Sequence, residues 1–280
     1  MMPATLYLVP TPIGNLGDIS PRMADTLAQA DFIAAEDTRV TLKLLNHFGI
    51  KKPMLSYFEH NKLEHGPVIL ARLKAGESCA LVSDAGMPAV SDPGETLVAA
   101  CAAEGVPVYV VPGPTAAISA LAVSGLPTGR FTFEGFLSVN KRSRKEHLDS
   151  LAGERRTMIF YEAPHKLRKT LSDLSKLFGA GRRVALCREL TKVHEEVWRT
   201  TLGEAAAHYR ETEPRGEFVL VVAGAEEAPA PEASYTLEEA AQLAASLAAG
   251  GLSASEAAKE AAQTTGFKKG ELYRLLLEQG

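Results

Sequence analysis

A chain of 280 residues, 46% apolar and 23% charged, has enough material for a full core and exceeds one small domain. Its mean hydropathy of −0.03 excludes a polytopic membrane protein, and a net charge of −4 excludes a uniformly basic nucleic-acid coat. Its cysteines, Cys79, Cys101 and Cys187, are odd in number and lack a C-x-x-C, so they read as inert buried thiols rather than a disulfide framework or zinc ribbon.

Residues Met1–Thr5 lack a basic targeting region, the apolar run Leu6–Pro10 is short, and no apolar stretch reaches the roughly 18 residues of a membrane span. A cytoplasmic protein is expected. Strand-length apolar runs then recur at Leu6–Val9, Phe32–Ala35, Met54–Tyr57, Cys79–Val82 and Val108–Val111. Helical stretches separate them. Ser20-Pro21 supplies an N-cap with proline at the first helical position, Asn61-x-x-Glu64 resembles a capping box, Pro93-Gly94 precedes a third helix, and Pro114–Ser124 forms a fourth. Strand and helix alternating over residues 1–125 predict an α/β domain with a largely parallel sheet.

A second α/β domain is expected over 126–224. Its strands are Phe131–Phe136, Thr157–Tyr161, Val184–Cys187, Glu196–Thr200 and Phe218–Val222, with helices over about 142–151, 165–178 and 203–210. Two of these strands follow one another without a helix, so this sheet is predicted to be mixed. Residues 225–234, rich in Pro, Ala and Glu, read as a linker. The Ala-rich segment 235–280 reads as a small bundle of three helices broken at Gly250-Gly251 and Gly266, helix-turn-helix-like in shape although its own net charge is −2.

Charge is unevenly spread. Residues 1–140 hold 9 Lys/Arg against 13 Asp/Glu, residues 141–199 hold 15 against 8, and residues 200–280 hold 6 against 13. The densest basic piece is Lys141-Arg142-Ser143-Arg144-Lys145. It is either a solvated helix start or part of a polyanion-binding patch with Arg155-Arg156, Lys166, Arg168-Lys169 and Arg182-Arg183.

No phosphate-binding P-loop, no G-x-S-x-G elbow and no G-x-G-x-x-G after the first strand occur, and the seven histidines lack metal-ligand spacing. His194-Glu195-Glu196-Val197-Trp198 is not H-E-x-x-H. The informative stretches instead follow the first domain's strands: Pro10–Asp18, Glu36-Asp37-Thr38-Arg39, Ser83–Pro88 with Ser91–Gly94, and Pro112–Ala117. Each alone is ordinary turn chemistry. Together they form one rim of small, stiff and polar residues at the edge where open α/β sheets bind ligands.

These stretches carry a resemblance. Leu8–Asp18, Ala35–Arg39, Leu81–Pro88, Asp92–Gly94, Pro112–Pro114, Phe160–His165, Arg188–Lys192 and Arg215–Leu220 stand in the order seen in the tetrapyrrole methylases. Pro-Thr-Pro-Ile-Gly-Asn in the first loop, in place of a glycine-rich one, resembles the branch that methylates small-subunit ribosomal RNA. The resemblance covers about residues 5–224. It implies two α/β domains with S-adenosyl-L-methionine in the cleft between them, and 2′-O-methylation of a decoding-region cytidine in 16S rRNA. It further implies action on the assembled small subunit and a homodimer. A methylase of a tetrapyrrole or other small molecule, and a non-catalytic RNA-binding module, are the rival readings.

The resemblance also implies roles. Pro10, Asp84, Ala85, Met87, Pro88, Thr115, Ala116, Tyr161, Gly216 and Glu217 match cofactor loops. Asp84 and Thr115 would serve equally as turn or cap residues, and Tyr161 as core. Glu36, Asp37, Arg39 and Lys192 are the candidates for chemistry: a carboxylate to orient or deprotonate a ribose hydroxyl, an arginine to grip a phosphate, a lysine on the second domain's side. Capping of a helix over 39–48 would also account for Asp37 or Thr38. Arg188 joins Lys192 as a cleft candidate or a plain strand charge, and His60-Asn61 is either substrate-facing or a cap. Lys141, Arg142, Arg144 and Lys145 are expected to contact rRNA phosphates.

Overall fold

Side chains that alternate between two covered faces build the first sheet. In the computed structural model, which describes residues 4–225 and 235–279, β1 (Leu6–Leu8), β2 (Phe32–Ala35), β3 (Met54–Ser56), β4 (Cys79–Val82) and β5 (Val108–Val110) pair in parallel in the order β3-β2-β4-β1-β5. Successive side chains point to opposite faces. Tyr7, Ile33, Ala35, Ala80 and Val82 pack under α1 (Pro21–Gln29) and α2 (Thr38–His47) through Met23, Leu27 and Leu45. Leu6, Phe32, Ala34, Cys79 and Leu81 pack on the other face under α3 (Lys62–Lys74) and α4 (Gly94–Ala103) through Ile69, Leu73, Leu97 and Cys101. Strands buried on both faces explain the near-continuous apolar runs.

Ser20 caps α1 by accepting from the Met23 N–H at 3.2 Å. Asn61 departs from the expected box. Its side chain turns back to β3, donating to Ser56 O at 3.1 Å and accepting from the Phe58 N–H at 2.8 Å, and α3 starts without a side-chain cap. The extended strand end outcompetes the helix start for this amide.

The second sheet comprises β6 (Phe131–Phe136), β7 (Thr157–Glu162), β8 (Arg183–Arg188), β9 (Glu196–Thr201) and β10 (Phe218–Val222), in the order β6-β7-β10-β8-β9. β6 pairs parallel to β7, and the remaining pairs are antiparallel. One face packs under α6 (Lys141–Ser150), α7 (Pro164–Phe178) and α8 (Leu202–Glu211) through Leu148, Leu167, Leu171, Leu202 and Tyr209. The opposite face, with Ile159, Ala185, Cys187, Val219 and Val221, is covered by α5 (Ala116–Val123) through Ala117, Ala120 and Leu121. α5 follows the first sheet in sequence yet packs on the second. Its small residues allow that close approach.

Residues 1–224 form one unit and 225–280 another. Residues 226–234 of the expected linker lie outside the described residues. The second unit holds α9 (Leu237–Ala249), α10 (Ala254–Thr265) and α11 (Lys269–Gln279). Capping boxes Thr236/Glu239 and Ser253/Glu256 start α9 and α10. Gly266, at φ +79°, ends α10 in the left-handed conformation. The core is mostly alanine: Ala240, Ala244, Ala258 and Ala261 around Leu272. Among the described residues no helix is long and apolar enough to cross a membrane.

Candidate active site

The strand order fixes where a ligand belongs. β1 crosses to β2 past β4, and β4 crosses to β5 past β1, so the chain reverses direction between these two strands. Their loops are stitched together at that point. Thr11 N donates to Gly86 O and Gly86 N to Thr11 O, both at 3.0 Å, and the Thr11 hydroxyl donates to Ser83 O at 3.1 Å. Gly86 sits at φ +85°, and a Cβ there would lie 3.2 Å from Ile13 Cγ2 and 3.5 Å from Pro114 O. Only glycine combines that backbone with such close neighbours.

A cavity of about 440 Å³ opens beside this junction, between the two sheets. Asp84, Ala85, Met87, Thr115, Ala116, Tyr161 and Glu217 line it, as do Glu36 and Lys192. Pro10, Pro88 and Gly216 are not lining residues. Pro10 is buried beneath Gly113, where a Cβ would come within 2.5 Å of its Cγ. Gly216, at φ +81°, leaves room for Glu189, whose Cγ would be 2.5 Å from a Cβ. Sequence reasoning about single residues missed Ile13, Glu162, Glu189, Leu190 and Val219, which also line the cavity. All lie in the motif stretches after β1 and β8, at the end of β7 or at the start of β10, so the signal was the position at a strand end.

Tyr161 joins the two halves. Its hydroxyl accepts from the Ala117 N–H of α5 at 3.1 Å, and Phe133 and Phe136 meet its ring edge-on at 5.0 and 5.5 Å. Burial pushes its phenol up. Thr115 precedes α5 without capping it through its side chain, so the Tyr161 hydroxyl takes that part. Cys187 also lines the cavity, and burial pushes its thiol up to about 11. It is an inert wall at neutral pH.

Two neighbouring carboxylates have opposite character. Asp37 is the N-cap of α2, accepting from the Arg39 N–H at 2.8 Å and from the Arg39 guanidinium at 3.0 and 2.6 Å. Those bonds hold its carboxyl at about 2. Arg39 itself remains 86% exposed. Glu36 is half-buried. Burial raises its carboxyl above the ordinary value, and the nearby Asp84, Asp92 and Asp37 charges add to the rise, against one hydrogen bond from the Asp84 N–H at 3.3 Å. Asp84 is raised too, chiefly by burial, while its carboxylate accepts from Asp37 N at 3.0 Å. A locked anion thus stands beside a proton-accepting one.

Across the cavity, Lys192 Nζ donates to Glu189 Oε1 and Glu217 Oε2, both at 2.9 Å. Burial acts to lower its ammonium, but the two carboxylates more than offset this and hold it above its ordinary value. Lys192 is therefore a fixed cation, not a base. Its stem crosses Gly14, where a Cβ would come within 2.3 Å of Lys192 Cγ. Glu189 and Thr191 adopt left-handed backbone at φ 51° and 66°, and the buried Thr191 hydroxyl has no hydrogen-bond partner among the described residues. Strain of this kind is characteristic of functional sites. Arg188 pairs with Glu196 at 2.9 Å, and His60 is exposed beside Phe58.

The basic run is divided. Asn140 caps α6, and Arg142 and Lys145 form exposed pairs with Glu146 and Asp149 one turn on. Lys141 is exposed. Arg144 is not available to a phosphate. Its side chain is 6% exposed, donating to Asp173 Oδ2 and Thr170 Oγ1, both at 2.9 Å. Thr170 in turn donates to Glu162, which is buried and lines the cavity. This face of α6 packs inward with Leu148, so Arg144 is a structural cation.

Comparison with known proteins agrees with this architecture. The family model for Tetrapyrrole (Corrin/Porphyrin) Methylases matches residues 5–206, and that for the RsmI C-terminal HTH domain matches 236–280. A Ribosomal RNA small subunit methyltransferase I from Synechocystis sp. is 51% identical over 98% of this chain and 97% of its own length. One of the same name from Thermotoga maritima is 48% identical over 221 residues, 79% of this chain and 99% of its own length. The X-ray structure of a cobalamin biosynthetic enzyme, cobalt precorrin-4 methyltransferase, superposes with a TM-score of 0.58 at 19% identity, covering 79% of this chain and 95% of that one. That likeness extends to the fold.

The lining fits the methyl donor used by such enzymes. Besides Glu189 and Glu217, which Lys192 neutralises, the carboxylates of Glu36, Asp84, Asp92 and Glu162 line a largely apolar cavity, a setting that favours a sulfonium cation. The N-terminus of α5 opens on the same space and favours a carboxylate. The fold, the junction of the β1 and β4 loops and the near full-length relatives agree: this chain belongs to the tetrapyrrole methylases, S-adenosyl-L-methionine-dependent methyltransferases, within the group of ribosomal RNA small subunit methyltransferase I.

Proposed function

We propose that this enzyme methylates the ribose 2′-oxygen of a decoding-region cytidine in 16S rRNA, acting on the small ribosomal subunit as a cytoplasmic homodimer. The observation that carries the reading is the half-buried Glu36 at the rim of the cofactor cavity, hydrogen-bonded to the loop that closes it. A ribose hydroxyl is a poor nucleophile, and a carboxylate with raised proton affinity is suited to take its proton. When bound, S-adenosyl-L-methionine supplies a methyl group activated by its sulfonium. The protein then orients the acceptor, and alignment alone is worth about 7–11 kcal/mol. Asp37 holds Arg39 at the rim, where its guanidinium can meet a phosphate. Lys192, fixed by Glu189 and Glu217, positions the second lobe's loop against Gly14. Backbone at Asp84–Met87, Thr115–Ala116 and Glu217 holds the cofactor.

The test is methyl transfer to small ribosomal subunits that lack the modification, read by nucleoside mass spectrometry. Formation of 2′-O-methylcytidine is expected. No product despite intact cofactor binding would overturn the rRNA reading in favour of a small-molecule acceptor.

Two further outcomes follow from charge and domain structure. Replacing Lys141, Arg142 and Lys145 together by alanine lowers the slope of log binding constant against log salt by about 2–3, since each lost phosphate contact contributes about 0.7–0.9. An unchanged slope would remove α6 from the RNA surface. Truncation after Gly224 leaves a folded, cofactor-binding unit, measured by calorimetry with S-adenosyl-L-methionine. Residues 1–224 form their own cores, and the 221 residues shared with the Thermotoga maritima relative fill 99% of that protein.

A further inference from the structure

A second, smaller cavity of about 270 Å³ adjoins the first. Pro12, Gly14 and Leu16 from the loop after β1 form one wall, and Val40, Lys43 and Leu44 from α2 form the other. Ser83 and Asp84 belong to both cavities, so their occupants stand on either side of one loop. Val40 and Leu44 are four residues apart on one helix face, with Lys43 beside them. Val40 and Leu16 line the groove at 41% and 45% exposed, so both walls offer aliphatic surface to an occupant. Two cations stand at the rim: Lys43 is exposed, and Arg39, paired with Asp37, lies one turn earlier on the same helix with its side chain 86% exposed; Asp84 is on the floor.

Aliphatic walls, lysine and arginine at the rim and a floor shared with the methyl-donor cavity have a specific meaning. Resting on the function proposed above, we propose that this groove seats the base of the acceptor nucleotide, a single pyrimidine turned out of its strand, with Lys43 and Arg39 on the flanking phosphates. Proteins read RNA mainly at unstacked bases inserted into pockets, with cations on the backbone. A base between Leu16 and Val40 places its ribose at the shared wall, where Glu36 is bonded to Asp84 N.

The experiment compares Val40→Phe with the full-length wild type on unmodified small subunits, with S-adenosyl-L-methionine affinity measured alongside. Filling the groove is expected to raise KM for subunits at least 10-fold while the affinity for the methyl donor and the melting temperature stay the same. Leu16→Phe, from the opposite wall, gives the same result if Val40→Phe does not fold. Lys43→Met is expected to lower the salt slope of subunit binding by about one. Wild-type kcat/KM in both filled variants would overturn the seat and leave the rRNA reading standing. Equal loss of methyl-donor affinity would assign the groove to the cofactor and also overturn it. A wild-type enzyme that makes no 2′-O-methylated nucleoside would overturn both.

Discussion

Glu36→Gln lowers kcat on small ribosomal subunits by about 10²–10⁴-fold, the usual contribution of a general base. The amide keeps the volume and the acceptor oxygen for Asp84 N, so affinity for S-adenosyl-L-methionine is expected to change little. The pH profile distinguishes this from simple disruption. The carboxylate form is the base, and burial raises the carboxyl above its ordinary 4.5. Activity is therefore lost as pH falls through that raised value, and the variant lacks this acid limb. Asp37→Asn behaves differently. Asp37, held at about 2 by Arg39, stays ionised across the working range; its loss frees Arg39 and raises KM, and by removing one of the charges that lift Glu36 it shifts the acid limb to lower pH without abolishing it. A Glu36→Gln enzyme with wild-type kcat and the same acid limb would end the assignment.

Arg144→Ala costs stability rather than RNA affinity. The guanidinium is 6% exposed and bridges Asp173 and Thr170, the latter bonded to the buried Glu162. Removing one partner of a buried ion pair costs about 3–5 kcal/mol, and Asp173 at 27% exposed regains some water, which places this case near 3. The melting temperature falls by roughly 6–12 °C for a unit of this size. Arg144→Lys does not restore it, because an ammonium lacks the planar fork that reaches both partners. The salt slope of RNA binding is unchanged in both, in contrast to the alanine variants of Lys141, Arg142 and Lys145. A stable Arg144→Ala protein with a reduced slope would return this residue to the surface.

Arg144 also shows where the sequence was hard to read. A run of four cations in five residues looks uniform, yet a helix divides it by face. Leu148 and Leu151 mark the buried stripe, and Arg144 stands one turn before Leu148 on it; that spacing was the available signal. Strands such as Phe32–Ala35 and Phe218–Val222 were legible because burial on both faces leaves a continuous apolar run between turns. Asn61 was misread because a capping pattern records only local competition, and Ser56 at the end of β3 is a neighbour the pattern does not include. The rim after β1, β2, β4 and β5 was visible as four polar loops. The second wall was less so: Glu189 and Leu190 reach the cavity through a strained turn whose left-handed backbone lies at Glu189 and Thr191, with no glycine to announce it. Pro10 packs beneath Gly113 and Gly216 makes room for Glu189, so neither lines the cavity although both lie in its motif stretches.

The order of the second sheet has a consequence for the chain as it is made. Its last strand, β10, is its central one, pairing with β7 on one side and β8 on the other. Until residues 218–222 leave the ribosome, the two halves of this sheet have nothing to join them. α5 is synthesised about 100 residues before that strand, so at about 5–20 residues per second its apolar face waits roughly 5–20 s for the last of the strands it covers. The first lobe, closed by the edge strand β5, meets no such delay. Translation thus delivers a finished parallel sheet trailing an uncovered helix, and the cleft between the sheets comes into being only when the final strand is threaded into the middle of the second.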